Sequence, residues 1–243
     1  MNISERKEVM DIEYIFFDCM ETLIDLHKLP TPKDYALWAY SGSGVEGLWE
    51  DFDEFFRYYY LSKKELAEKL PEHAEYEIKG RFLYLIRSSL PDLPEYMIEP
   101  TADKLYSNYW RNYKAVCYVR DDVKRALQHL SEAYKLGVVS NFMVMDGIEE
   151  LLKLTGIDRY FSFVVTSVST GWRKPHPEIY NKALSLSGTN TDKVLFVGDD
   201  FTNDYTVPVS LGMKAVYLDR FERRPELPDR IKDFDELIGK ELL

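Results

Sequence analysis

Cysteine is scarce in this sequence. Only Cys19 and Cys117 occur in 243 residues, too few for a disulfide framework and without the spacing of a zinc site. Cys19 reads as a small buried hydrophobe in preference to a reactive thiol. Long apolar runs are missing too: none approaches the roughly 18 uncharged residues of a membrane span, so no membrane is expected as a partner. Residues 1–8 are charged and lack the apolar stretch of a secretory leader, which makes a cytoplasmic address the expectation. Positive charge is in deficit, with 31 Lys and Arg against 42 Asp and Glu and a formal net charge of −11. No basic block exceeds a pair. Neutralising the phosphates of a nucleic acid needs a basic face, so no nucleic-acid partner is expected, although a local anion pocket remains compatible.

What is present describes an ordinary globular chain, 45% hydrophobic and 30% charged, long enough for one large domain or a domain with an insertion. Its organising stretch begins at Tyr14-Ile15-Phe16-Phe17, an apolar run of the kind buried on both faces of a parallel sheet. The run stops at Asp18, which would stand at the carboxyl end of the strand, where open α/β sheets place their ligand crevice. With Thr22 four residues on, Asp18 suits a carboxylate nucleophile or a metal ligand. Taken alone, it is better read as a turn residue.

Residues 31–114 change texture, with aromatic and charged residues at helical spacing. Thr31-Pro32 reads as an N-cap followed by Pro at the first helical position. Trp49, Phe52, Phe56 and Tyr59 mark one helix face, Tyr76, Leu83 and Ile86 a second, and Leu105, Tyr109 and Tyr113 a third. These stripes are read as packing the helices together in preference to lining a substrate pocket.

From about residue 120 strands and helices alternate again. A helix is expected over residues 121–133, a strand ending at Ser140 and Asn141, a helix over 148–154, and a strand over 163–166. A loop carrying Arg173, Lys174 and His176 follows, then a helix from about Glu178. A strand over 193–197 leads into Asp199, Asp200 and Asp204, and a strand over 215–218 closes the series. The expected fold is α/β, a Rossmann-like parallel sheet with helices on both faces plus an inserted all-helical cap. Residues 1–28 and 115–243 form the core and residues 29–114 the cap.

Three of these strands carry polar residues at the same end: Asp18, Ser140, and Asp199 with Asp204. Carboxylates gathered in one crevice repel one another unless a cation sits among them. A hard ion such as Mg²⁺ suits such oxygen ligands. Lys174 and the Ser140 hydroxyl would hold the oxygens of an anionic group and stabilise charge in its transfer.

In these segments the chain resembles the haloacid dehalogenase (HAD) superfamily of hydrolases, in the branch with a helical cap after the first motif. Phe16-Phe17-Asp18 with Thr22-Leu23 resembles motif one, Val139-Ser140-Asn141 motif two, and Gly171 with Lys174-Pro175 motif three. Val197-Gly198-Asp199 with Asn203-Asp204 resembles motif four. The resemblance implies Asp18 as nucleophile, Ser140 and Lys174 as its catalytic partners on the phosphate, and Thr22 and Asn141 as substrate-binding residues. It implies Mg²⁺ held by Asp18, Asp199, Asp204 and the backbone carbonyl of Met20. The implied activity is hydrolysis of a small phosphorylated metabolite. Asp200 is read as a solvated turn residue, and Arg173 and His176 as exposed loop residues.

The pattern fails at one place. Most phosphatases of the family carry a second Asp two residues after the nucleophile, which protonates the leaving group. Here that position is Met20, and Glu21 stands where the pattern has Gly. A thioether transfers no proton, and losing a general acid typically costs about 10²–10⁴ in rate. Relatives that hydrolyse 2-haloacids also lack that Asp, because halide leaves without a proton. They generally work without metal, however, and use an Arg early in the cap, whereas here Asp199 is present and no Arg lies between Asp18 and Arg57. Another lookalike uses a cap lysine as a Schiff base; Lys63 and Lys64 are better read as a solvated helix face. Phosphoryl transfer is therefore preferred. A 2-haloacid hydrolase and a catalytically impaired protein that binds a phosphorylated ligand remain the alternatives. Glu21 as a displaced acid is disfavoured, because its side chain should point elsewhere than the residue before it.

Overall fold

The computed structural model describes residues 12–239. The charged stretch 1–8, and the outer ends of the expected core at 1–11 and 240–243, lie outside the described residues.

Strand β1 (Tyr14–Phe17) is buried at every position, as its uninterrupted apolar character requires. The chain leaves it through β2 (Asp25–Leu26) and enters four helices: α1 (Pro32–Tyr40), α2 (Phe52–Lys69), α3 (Ile78–Ser89) and α4 (Glu95–Ala115). It returns through β3 (Cys117–Tyr118), which pairs antiparallel with β2. The outgoing and returning chains thus run side by side. Then follow α5 (Asp121–Leu130), β4 (Lys135–Ser140), α6 (Gly147–Thr155), β5 (Phe161–Thr166), α7 (Ser167–Thr170), α8 (Pro177–Ser187) and β6 (Val194–Gly198). A wide helical turn (Phe201–Thr206) leads to α9 (Val207–Ser210), β7 (Lys214–Leu218), β8 (Arg230–Ile231) and α10 (Phe234–Gly239).

The main sheet has the order β5-β4-β1-β6-β7-β8, and every pairing in it is parallel. Chain order reverses at β1, so the crevice expected at a topological switch point falls between the carboxyl ends of β1 and β6. The period-two alternation of β1 sorts its side chains between two cores. Ile15 and Phe17 pack with Val123, Leu127, Ile148 and Phe234 on one face. Tyr14 and Phe16 pack with Ile179, Tyr180 and Ala183 on the other. Helices therefore cover both faces, as expected.

Local signals account for several element ends. Thr31 and Asp34 form a reciprocal capping box ahead of Pro32, and Gly156, in the left-handed region, closes α6. The aromatic stripes do pack the inserted helices: ring contacts run Trp49–Phe55–Tyr59–Phe82–Tyr109–Tyr113 and end on Phe142, just past β4. The buried stripe of α2 is Phe55 and Tyr59, whereas Phe52 and Phe56 are half-buried. No helix among the described residues is long and apolar enough to cross a membrane.

Other expectations need correction. Strand β7 does not close the series. Strand β8 pairs beyond it, two residues long in a charged, proline-containing segment where no periodicity can develop. Tyr76 precedes α3 instead of belonging to it. Helix α5 ends at Leu130, and β5 begins two residues early, at Phe161.

Gly137 on β4 lies under the Phe163 ring, and a Cβ there would meet ring atoms at 2.3–2.8 Å. Gly137→Ala should therefore destabilise the fold by about 1–3 kcal/mol through overpacking. Chemical denaturation would show it as a lower midpoint with an unchanged slope.

Candidate functional site

Asp18 follows β1 directly and is held by its own backbone, its N–H donating to the Val197 carbonyl of β6 at 2.9 Å. The chain then coils tightly. The Cys19 carbonyl accepts from the N–H groups of Leu23 and Ile24 at 2.8 and 2.9 Å, and Glu21 N–H donates to the Ile24 carbonyl at 2.8 Å. This coil puts Glu21 in the left-handed region, φ 63°, which disfavours side chains with a Cβ and favours glycine. The preference for glycine at this place in the motif thus has a backbone cause, which Glu21 meets with strain.

The coil is clamped from a distant strand. Arg220, just beyond β7, donates Nη1 to the Glu21 carbonyl at 2.8 Å and to Asp25 Oδ1 at 2.7 Å, and Nη2 to the Thr22 carbonyl at 3.1 Å. Nothing local in the sequence marked Arg220, because its partners lie nearly two hundred residues away.

The acidic side chains converge as the strand ends required. Oxygens of Asp18, Asp199 and Asp204 lie within 4.8 Å of one another. Lys174 Nζ donates to Asp18 Oδ1 at 2.7 Å and to Asp204 Oδ1 at 2.6 Å, with its side chain almost wholly buried. Asp204 rises from the wide turn after β6 and lies against Gly198, where a Cβ would meet Asp204 Oδ2 at 2.4 Å. Only glycine leaves room for that carboxylate.

Asp200, read as a solvated turn residue, is exposed and caps this turn, accepting from Thr202 and Asn203 N–H. Its own N–H donates to Asp204 Oδ2 at 3.0 Å. Ser140 at the end of β4 is buried, and its Oγ has no hydrogen-bond partner among the described residues.

Thr22 and Asn141, expected to bind substrate, each hold a neighbouring site residue by a side-chain hydrogen bond. Thr22 is buried and donates its hydroxyl to Asp199 Oδ1 at 3.1 Å. The Asn141 amide ties the end of β4 to the lysine loop, giving Nδ2 to the Lys174 carbonyl at 3.0 Å and accepting from Lys174 N–H at 2.6 Å. Met20 is half-buried, its side chain packed against the larger core.

Arg173 and His176 are half-buried, not exposed as expected, because the inserted segment covers this loop. Arg173 N–H donates to the His73 carbonyl, and Glu75 N–H to the Gly171 carbonyl, each at 2.9 Å. The wholly buried Glu75 side chain accepts from Ser167 Oγ at 2.7 Å and faces Arg173 Nε at 3.8 Å. His176 stacks on Trp172 at 4.0 Å. Lys63 and Lys64 are exposed on α2, in keeping with a solvated face. Cys19 is buried, and burial pushes its thiol well up.

Electrostatics decide what this constellation can hold. Three carboxylates share one ammonium, leaving two negative charges uncompensated if all ionise. Burial would lower the Lys174 ammonium, but Asp18 and Asp204 together hold it above its ordinary value. The shortage falls on the acids. Asp199 is pushed up to about 7 and Asp204 to about 8, in each case mainly by burial, with the charge of Asp18 adding to it. A divalent cation matches the missing charge, the donors are all hard oxygens, and the orphaned Ser140 hydroxyl offers a contact to an anion. The residues present fit Mg²⁺.

Known proteins resemble this chain. A family model described as haloacid dehalogenase-like hydrolase matches residues 12–208. The chain is 42% identical over 98 residues to haloacid dehalogenase-like hydrolase domain-containing protein 3 of Xenopus laevis, a match covering 40% of this chain and 37% of that relative. It is 29% identical over 209 residues to glyceraldehyde 3-phosphate phosphatase of Pyrococcus abyssi, covering 85% of this chain and 81% of the relative. Among solved structures, a 2-haloacid dehalogenase from Pseudomonas syringae superposes with TM-score 0.74 at 19% identity, covering 94% of this chain and 97% of the other. A HAD phosphatase from Thermococcus onnurineus superposes with TM-score 0.64 at 21% identity and the same coverage. A dehalogenase and a phosphatase on one scaffold make the likeness one of fold alone.

The raised carboxyls imply a defined pH dependence. Folded and without metal, Asp199 and Asp204 retain protons that the unfolded chain, with carboxyls near 3.8, has released. Stability should therefore fall as pH rises from about 4 to about 8. Mg²⁺, which binds the ionised forms, should raise the melting temperature more at pH 8 than at pH 5. Melting curves with Mg²⁺ and with chelator at both pH values test this, and no effect of Mg²⁺ at pH 8 would count against a metal site.

Proposed function

The chain belongs to the haloacid dehalogenase-like hydrolase family, and on that footing we propose that it hydrolyses a small phosphomonoester by way of a phosphoryl group carried on Asp18. The observation that carries this reading is the buried Lys174 between Asp18 and Asp204, in a cluster two charges short of balance, with an orphaned Ser140 hydroxyl at the end of the neighbouring strand β4. Asp18, Asp199, Asp204 and the Met20 carbonyl would hold Mg²⁺. Bound there, Mg²⁺ supplies the positive charge that lets a phosphate dianion approach an anionic nucleophile.

This chain's own residues do the rest. Lys174 takes Asp18 Oδ1, leaving the other carboxylate oxygen to attack phosphorus. Asp18 gains a P–O bond as the ester P–O bond breaks and the leaving oxygen departs with the electron pair. Ser140 Oγ and Lys174 Nζ hold the phosphoryl oxygens while charge moves. Asn141 keeps the lysine loop against the end of β4, and Thr22 keeps Asp199 in place. Water then cleaves the acyl phosphate, releasing phosphate and regenerating the Asp18 carboxylate.

Met20 gives the leaving oxygen no proton, so substrates with good leaving groups turn over best and alkyl phosphates slowly. The helices between β2 and β3 act as the cap, tied to the lysine loop through Glu75. Small phosphorylated metabolites, among them the glyceraldehyde 3-phosphate named for the archaeal relative, are the substrates to screen.

Phosphate release from 4-nitrophenyl phosphate should require Mg²⁺, stop with chelator, and vanish in Asp18→Asn. Met20→Asp should raise turnover of alkyl phosphates by about 10² or more. Release of halide from 2-haloacids without release of phosphate would replace this reading with the dehalogenase one. Protection against heat by phosphorylated compounds without any product would replace it with a binding protein.

A further inference from the structure

We propose that a cavity of about 340 Å³ beside Asp199 is the subsite for the leaving group, and that it receives a group carrying a carboxylate, held by Arg223 and Arg120. The proposal rests on the phosphomonoester reading above and names its substrate class. The cavity adjoins the acidic cluster, because Asp199 lines the cavity and belongs to the cluster. Its walls are the coil after β1, the paired strands β2 and β3, and the loop after β7. Its volume suits a molecule of a few carbons.

The charges on its walls are unevenly occupied. Asp25 is taken by Arg220 at 2.7 Å. Asp219 accepts from the N–H groups of Arg223 and Arg224 at 2.7 and 2.9 Å. Asp199 belongs to the metal-type cluster. Glu21 is the remaining acid, and Arg220 and Arg223 both act electrostatically on its carboxyl.

Of the three guanidinium groups, Arg220 is committed to Asp25 and two carbonyls. Arg120 gives Nε to Asp122 at 3.0 Å, and no partner is recorded among the described residues for its two terminal nitrogens. Arg223 makes no recorded ion pair among the described residues; its guanidinium lies 5.1 Å from the Phe221 ring. Two planar donor forks thus border a space that has Asp199 in its wall. Such a fork matches a carboxylate in two parallel hydrogen bonds, and a neutral group of the same shape would leave it empty.

The test compares 3-phosphoglycerate with glyceraldehyde 3-phosphate, which differ only in a carboxylate in place of an aldehyde. The protein should prefer the first in kcat/KM by about tenfold or more, the span of charge-assisted hydrogen bonds. Arg223→Met should collapse that ratio, chiefly through KM for 3-phosphoglycerate. Arg224→Met, at a neighbouring residue outside the cavity whose guanidinium lies over Phe201, should leave the ratio within twofold. Equal kcat/KM for the two compounds, or a ratio unmoved in Arg223→Met, overturns the subsite while 4-nitrophenyl phosphate turnover keeps the phosphatase reading. No phosphate from any of the three compounds overturns both.

Discussion

Among the described residues, Lys174 Nζ is the only cation touching the three carboxylates of the site, and it touches two of them. Around that contact the other parts of the site take their places. The ammonium is buried, so it needs carboxylate partners; the carboxylates are buried, so they need more charge than it supplies. The result is a pocket stable with its acids partly protonated or with a divalent cation present. The Gly198 notch, the Asp200 cap and the Asn141 tether each fix one partner of this arrangement without adding charge.

The fold brings these groups together by topology. β1 occupies the middle of a parallel sheet, and the reversal of strand order beside it opens the crevice where Asp18 and Asp199 end their strands. The same place lets the chain leave for four helices and return beside its own exit, because β2 and β3 pair. The returning insertion is also fastened at a second place, where His73 and Glu75 join the segment Gly171–Arg173 by backbone hydrogen bonds. The insertion and the loop that carries Lys174 are therefore joined directly.

Met20 and Glu21 belong to one argument. The coil after Asp18 demands a left-handed residue at position 21 and has a charged residue there, held down by Arg220 across the crevice. The preceding position offers a thioether packed into apolar surroundings. On the proposed phosphatase reading, Asp18, Lys174 and the acidic cluster are in place without a proton donor at position 20, which would favour leaving groups that depart as stable anions.

Much was legible in the sequence. Apolar runs ending in Asp18, Ser140 and Asp199 marked strands and their carboxyl ends together, because a strand buried on both faces must be apolar until it reaches the crevice. Thr31-Pro32 and Gly156 marked helix ends, because caps are local chemistry. The strand expected over 193–197 placed Asp199 and Asp204 together in the segment that follows it. What stayed out of reach depends on partners far apart in the chain. The Thr22 hydroxyl on Asp199, the Asn141 amide on Lys174, the Arg220 clamp and the buried Glu75 exist only after packing. The half-burial of Arg173 and His176 is likewise decided by the insertion folding over them. Strand β8 is two residues long and held by one neighbour, too short to leave a period. The sequence by itself determined which polar groups end the strands and on which element each stands. The tertiary structure decided which of them meet and which hold one another, since a hydrogen bond between residues 177 positions apart leaves no mark on local composition.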